Sequence, residues 1–126
     1  NNKMASSTVI LTNKAEMSFT GDKARGDGFY GYSDGLHTVS FHVNNFTGRI
    51  WLEATLLESP TEADWFNIAL SSGTAYLPYD AQSTTYGATF TGNFVYVRAR
   101  IDRSYLVDQT YDASTHGVVN KIVLMI

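Results

Sequence analysis

Asn45-Phe46-Thr47-Gly48-Arg49-Ile50-Trp51-Leu52-Glu53-Ala54-Thr55-Leu56-Leu57 alternates apolar and polar side chains, and Phe90-Thr91-Gly92-Asn93-Phe94-Val95-Tyr96-Val97-Arg98-Ala99-Arg100-Ile101 repeats the arrangement. Both open on Phe-Thr-Gly, where glycine supplies the positive φ of a tight turn or bulge, and both continue with the period of a strand. As strands they place Ile50, Leu52, Ala54 and Leu56 on one face and Arg49, Trp51, Glu53 and Thr55 on the other. In the second stretch Val95, Val97, Ala99 and Ile101 form the inward row, with Tyr96, Arg98 and Arg100 outward. A third Phe-Thr-Gly, Phe19-Thr20-Gly21, closes an earlier strand. The three copies are unevenly spaced, so they are reused strand-end chemistry and not a solenoid repeat.

Outward from this pair, Leu36 to Val43 alternates with Val39, Phe41 and Val43 on one side, and Thr38, Ser40 and His42 on the other. The turn formers Asn44-Asn45 and Thr47-Gly48 then predict a hairpin spanning residues 36 to 57. Thr8 to Thr12 reads as a first strand, able to pair with Ala15 to Phe19 across Asn13-Lys14. Residues 21 to 35 hold too many glycines for a long regular element. Pro60 stops any ladder, Thr61 to Asp64 can form one helical turn, and Trp65 to Leu70 resumes as a strand. Ala75 to Tyr79 reads as a short edge strand because Pro78 lacks a donor, and Ser83 to Phe90 leads into the second organising strand. Ser104 to Thr110 is a strand or extended loop, and Tyr111 to Gly117 a loop. The apolar run from Gly117 to Ile126 predicts a strand buried on both sides or covered at a subunit contact through Val119, Ile122, Leu124 and Ile126. Eight or nine short strands at this spacing predict an all-β, two-sheet antiparallel sandwich of the jelly-roll class. It forms a single domain: residues 1–20 are a strand or an arm, and residues 21–126 are the sandwich.

The 126 residues fit one domain with a core of its own. There is no cysteine, which removes disulfides, thiolate metal sites and cysteine nucleophiles. A net charge of −3 gives no basic footprint for a phosphate backbone, so nucleic acid is not an expected partner. No apolar run approaches the roughly 20 residues of a membrane helix, so no membrane partner is expected, and residues 1–7 lack the apolar core of a secretion signal.

Chemistry-bearing groups are sparse in pattern. Asp22, Asp27 and Asp34 share one loop, and Asp108 and Asp112 another, without the spacing of a calcium loop; acids there ordinarily cap turns. His37, His42 and His116 show no metal-ligand spacing, and His37 and His42 fall on opposite faces of their strand. With no nucleophile, base and orienting group in sight, no catalytic residue, metal or cofactor is expected. Arg25-Gly26-Asp27 is the tripeptide integrins read on mobile loop tips, here more simply an accident of a Gly/Asp-rich loop. Asn45-Phe46-Thr47 fits the glycosylation acceptor pattern. The aromatics carry more. Phe29, Tyr30 and Tyr32 stand between glycines, and Trp65, Tyr76 and Tyr79 crowd the middle of the chain; rings exposed on a sandwich can hold sugar faces, while cores and subunit contacts use them as well.

Gly28-Phe29-Tyr30-Gly31-Tyr32-Ser33-Asp34-Gly35-Leu36-His37-Thr38, Phe46-Thr47-Gly48-Arg49-Ile50, Pro60 with Asp64-Trp65-Phe66, Phe90-Thr91-Gly92-Asn93-Phe94-Val95 and Asn120-Lys121-Ile122-Val123-Leu124 together resemble small β-rich structural proteins of tailed bacteriophage virions, of the kind found in phages of marine cyanobacteria. The resemblance runs from Gly26 onward and leaves the first 20 residues outside it. It implies a non-enzymatic role located in the virion, as capsid decoration or as a neck, baseplate or fibre component. The partners it implies are other virion proteins and copies of the same chain. The aromatics support a second expectation, a carbohydrate-binding module that grips host-surface glycan.

Overall fold

The computed structural model describes residues 5–70 and 74–126. It is mostly β, with eight strands in one antiparallel, nearly closed sheet: β1 (Ser7–Leu11), β2 (Phe19–Thr20), β3 (Ala24–Arg25), β4 (Leu36–Thr55), β5 (Phe66–Asn67), β6 (Leu77–Thr91), β7 (Tyr96–Asp102) and β8 (Val118–Met125). Two helical turns, α1 (Asp27–Tyr30) and α2 (Ala113–His116), and a 3-10 turn at Glu62–Asp64 complete it.

β4 is the spine. The expected hairpin of residues 36 to 57 does not form; the chain runs straight through its turn residues as one strand of 20. Asn45 takes φ 48° and Gly48 φ 156°, and these bend the strand without reversing it. The reason lies in the partners. On one edge β6 follows β4 from Leu36 to Ile50 and kinks in step at Ala81, φ 50°. On the other edge β8 ends opposite Asn44, and β7 takes over opposite Arg49. Side chains satisfy donors at the bend: Asn45 N–H donates to Ser83 Oγ at 2.9 Å and Ala81 N–H to Thr47 Oγ1 at 2.9 Å.

The period-two rows behave as read on both sides of the bend, except that Thr55, read outward, is fully buried and Val95 lies before β7 and is only partly buried. Val39, Phe41, Phe46, Ile50, Leu52 and Ala54 of β4 pack with Val97, Ala99 and Ile101 of β7 in one core. Leu56 leaves the row, since β4 ends at Thr55, and is exposed. β1 lies beside β8 and sends Ile10 and Leu11 into the same core. Residues 15–19 do not pair with β1. Instead Phe19 pairs with Ile101, and Gly21 sits so close to the Ile10 carbonyl that a Cβ there would collide with it, which brings the far edge of β1 against the end of β2. The segment from Trp65 to Leu70 contributes only the two residues of β5, which pair with Glu53 and Ala54 of β4. The expected short edge strand at 75–79 and the segment 83–90 are one strand, β6, with Pro78 near its start.

Just past the end of β7 sits Arg103, fully buried and with no carboxylate paired to it among the described residues. Its Nε donates to Thr47 O at 2.7 Å, Nη1 to Glu16 O and Met17 O at 3.1 and 3.4 Å, and Nη2 to His116 O and Gly117 O at 3.2 and 3.3 Å. Phe46 and Tyr111 lie within cation–π distance of it, at 4.8 and 5.3 Å. Burial lowers its pKa against the pull of Tyr111 and Tyr105. Gly117 closes the same knot with φ 70°, its Cα packed on the Asn45 carbonyl where any Cβ would collide.

Candidate functional site

Cross-strand register builds the most organised surface of the molecule. β4 residues 49, 51 and 53 stand directly opposite β7 residues 102, 100 and 98, on the outward face that alternation assigned to them. Glu53 sits between two arginines: its Oε1 accepts from Arg98 Nε at 2.8 Å and its Oε2 from Arg100 Nε at 3.0 Å. The other side of the Arg98 guanidinium grips Glu62 through two bonds, at 3.0 and 3.1 Å. Rings alternate with these cations. Trp65 covers Arg98 at 4.0 Å, Trp51 meets Arg100 at 4.8 Å, Tyr76 lies 4.9 Å from Trp51, and Arg49 rests between Tyr76 at 4.7 Å and Tyr105 at 4.1 Å.

The electrostatics follow from that packing. Burial pulls the Arg98 pKa down, but its bonds to Glu62 and Glu53 outweigh burial and leave it raised. The Arg98 hydrogen bonds hold Glu62 below the ordinary glutamate value. Arg98 and Glu53 are about one-tenth exposed at the side chain, whereas Glu62 is 84 % exposed, so the inner pair carries the coupling and the outer one is screened by water. At one end the face dips into a polar recess lined by Asp22, Lys23, Pro60, Glu62, Trp65 and Arg98.

The expected contact aromatics divide among three places. Trp65 and Tyr76 belong to the ring and guanidinium face just described. Phe29, Tyr30 and Tyr32 form a separate group around α1: Tyr30 and Tyr32 stack at 5.3 Å, while Phe29 packs on Tyr96 and beneath Arg25. Tyr79 is a correction, since it is buried edge-on against Phe46, inside the bend and away from solvent. Val119, Ile122 and Leu124 are a second correction: all three are buried in the chain's own core, between β1 and β4, so a neighbouring subunit does not reach them. Ile126 is half-buried just past β8.

The remaining motifs resolve into local structure. Asp34 Oδ1 accepts from the Leu36 amide, Asp108 from Thr110, and Asp112 caps α2 through Ser114. His37 is buried, its Nε2 accepting from the Asp27 amide, while His42 faces outward beside Ser40. Arg25-Gly26-Asp27 is not displayed on a tip, because Asp27 is fully buried and Gly26 donates to the Val95 carbonyl. Asn45 is exposed on the bend and its amide donates to Ser114 O. Among the described residues no three His, Asp or Glu side chains converge as a metal site, and no helix is long and apolar enough to cross a membrane.

Reading residue by residue missed Glu53 as a bridge, Arg49 and Tyr105 as stacking partners, and Arg103 altogether. Comparison with family models, curated proteins and solved structures finds no match to the chain.

Proposed function

We propose that the protein acts by contact and not by catalysis, as a structural component of a tailed-phage virion that binds other virion proteins and copies of itself. The observation that carries this reading is the face of β4 and β7, where Trp51, Trp65, Tyr76 and Tyr105 interleave with Arg49, Arg98 and Arg100. Trp, Tyr and Arg are the residues that dominate protein–protein contact energies, the rings because they bring large area at low conformational cost and arginine because its planar fork both stacks and hydrogen-bonds. Here Glu53 and Glu62 hold Arg98 and Arg100 in place before any partner arrives, which lowers the ordering cost of association. The resemblance to virion proteins supplies the setting. Co-sedimentation with purified tailed-phage capsids and tails tests it: binding that weakens in Trp51→Ala and Trp65→Ala variants is expected. A chain that associates with no particle component and with no copy of itself overturns it.

The finer architecture belongs to the same proposal. We read the sheet as two layers that share β4, β1-β8-β4-β6 and β2/β3-β7-β4-β5, a jelly-roll-like pairing supported by the antiparallel partners of each strand. Such folds host many roles, so this adds shape and not function.

A carbohydrate-binding role is the second reading, favoured by the recess that sets the Trp65 indole among Asp22, Lys23, Glu62 and Arg98, and by the stacked Tyr30–Tyr32 pair. Glycan-array binding lost in Trp65→Ala, or in Tyr30→Ala with Tyr32→Ala, supports it. Absence of any glycan binding removes it.

A further inference from the structure

β6 leaves one of its edges without a strand partner among the described residues: it pairs with β4 and with no other strand. Open edges present unpaired backbone donors and acceptors, and proteins ordinarily guard them with lysine, proline, a bulge or extreme shortness. The guards of β6 lie at its beginning. Pro78 and the kink at Ala81 protect the first turn of the strand, and Asp80 supplies its last charge. From Ala81 to Val97 the sequence Ala-Gln-Ser-Thr-Thr-Tyr-Gly-Ala-Thr-Phe-Thr-Gly-Asn-Phe-Val-Tyr-Val contains no charged residue and no proline. Residues 82 to 87 are exposed throughout, so nothing among the described residues shelters this edge.

We infer that this edge is the site where two copies of the chain join, β6 against β6, antiparallel about a twofold axis. The inference rests on the contact reading above and names the surface and the partner. Charge decides for a second copy over a foreign strand. A symmetric pair sets each strand opposite itself, so any charge near the axis would meet its own like; this stretch has none, and a Ser/Thr-rich strand meeting itself forms favourable hydroxyl pairs. Joined this way, the order β1-β8-β4-β6 continues through the axis as β6-β4-β8-β1 of the second copy, and the Gln82 to Thr91 ladder is completed.

The test uses Thr85, whose side chain is exposed and makes none of the side-chain hydrogen bonds that fix the bend. Light scattering across a range of concentrations is expected to show the wild type at twice the 13.9 kDa mass of the chain. Thr85→Lys and Thr85→Glu, each alone, are expected to weaken the dimer by about tenfold or more through like-charge juxtaposition. Mixing the two variants restores it, and circular dichroism shows both still folded. A wild-type dimer indifferent to Thr85→Lys overturns the edge assignment and leaves the contact reading standing, as does a monomer that still binds virion components. A monomer that binds none of them overturns both.

Discussion

Arg103 Nε donates to the carbonyl oxygen of Thr47 at 2.7 Å across 56 residues of sequence, and so fastens the end of β7 to the bend of β4. The same guanidinium reaches Glu16, Met17, His116 and Gly117, so one side chain satisfies carbonyls from three segments that have no sheet register in common. A planar fork with five donors suits that task and an ammonium does not.

Arg103→Met is therefore expected to cost at least about 3 kcal/mol, because it strands several buried carbonyls at roughly 1 to 3 kcal/mol each. Arg103→Lys should recover only part of the loss. Urea denaturation monitored by circular dichroism reads both, and a loss under about 1 kcal/mol for Arg103→Met would show that water replaces the guanidinium.

Glu53 and Arg98 should couple strongly. A double-mutant cycle with Glu53→Gln and Arg98→Met is expected to give an interaction energy of about 1 to 3 kcal/mol, largely insensitive to salt because both side chains are mostly buried. The cycle between Glu62 and Arg98 should give well under about 1 kcal/mol and fade as salt is added. Equal couplings in the two cycles would contradict the burial difference between them.

Ala81 holds φ 50°, a left-handed conformation that costs a Cβ-bearing residue roughly 1 kcal/mol. Ala81→Asn should be neutral or stabilising by up to about 1 kcal/mol, since asparagine tolerates this region. Ala81→Val should destabilise by more than about 1 kcal/mol for the opposite reason. Thermal melts are expected to place Ala81→Asn at or above wild type and Ala81→Val below it.

Burial, reinforced by Tyr86, pushes the Tyr79 phenol up to about 12. Its folded pKa lies above the ordinary tyrosine value of 10.0, so the stability linked to it is fully present below pH 10 and is lost as pH rises through the folded value. Absorbance titration of the phenolates should show a late component that disappears in Tyr79→Phe. The alkaline melting curve of that variant should fall less steeply between about pH 10 and 12. A Tyr79→Phe protein that loses a phenolate near the ordinary value of 10.0 and keeps the late component would place Tyr79 in solvent.

Alternation made most of the core legible. Val39, Phe41, Ile50, Leu52, Val97, Ala99 and Ile101 were assignable because period two fixes the face of a residue without knowledge of the partner strand. The same parity put Trp51, Arg98 and Arg100 on the outer face. The 36 to 57 hairpin failed because Asn45 and Gly48 supply the dihedrals of a bend as readily as those of a reversal, and the choice rests with β6, β7 and β8, far along the chain. Tyr79 was misplaced for a related reason: β6 crosses the bend there and turns that ring onto Phe46. The final strand looked two-sided because Val118, Val123 and Met125 are apolar, yet a register slip near Asn120 sends only Val119, Ile122 and Leu124 inward. Arg103 did leave a signal. It continues the inward row Val97, Ala99, Ile101, and a charged residue at inward parity asks for a buried partner.

The bent spine also sets an order on biosynthesis. Every strand that hydrogen-bonds to β4 lies downstream of it, and β8, which flanks β4 and β1 together, comes last of the eight. A nascent chain leaving the ribosome therefore carries β4 with both edges bare until β5 and β6 emerge, and the edge that β8 fills stays open until residues 118 to 125 follow. Until then that open edge of β4 is free to pair with a neighbouring chain on the same polysome.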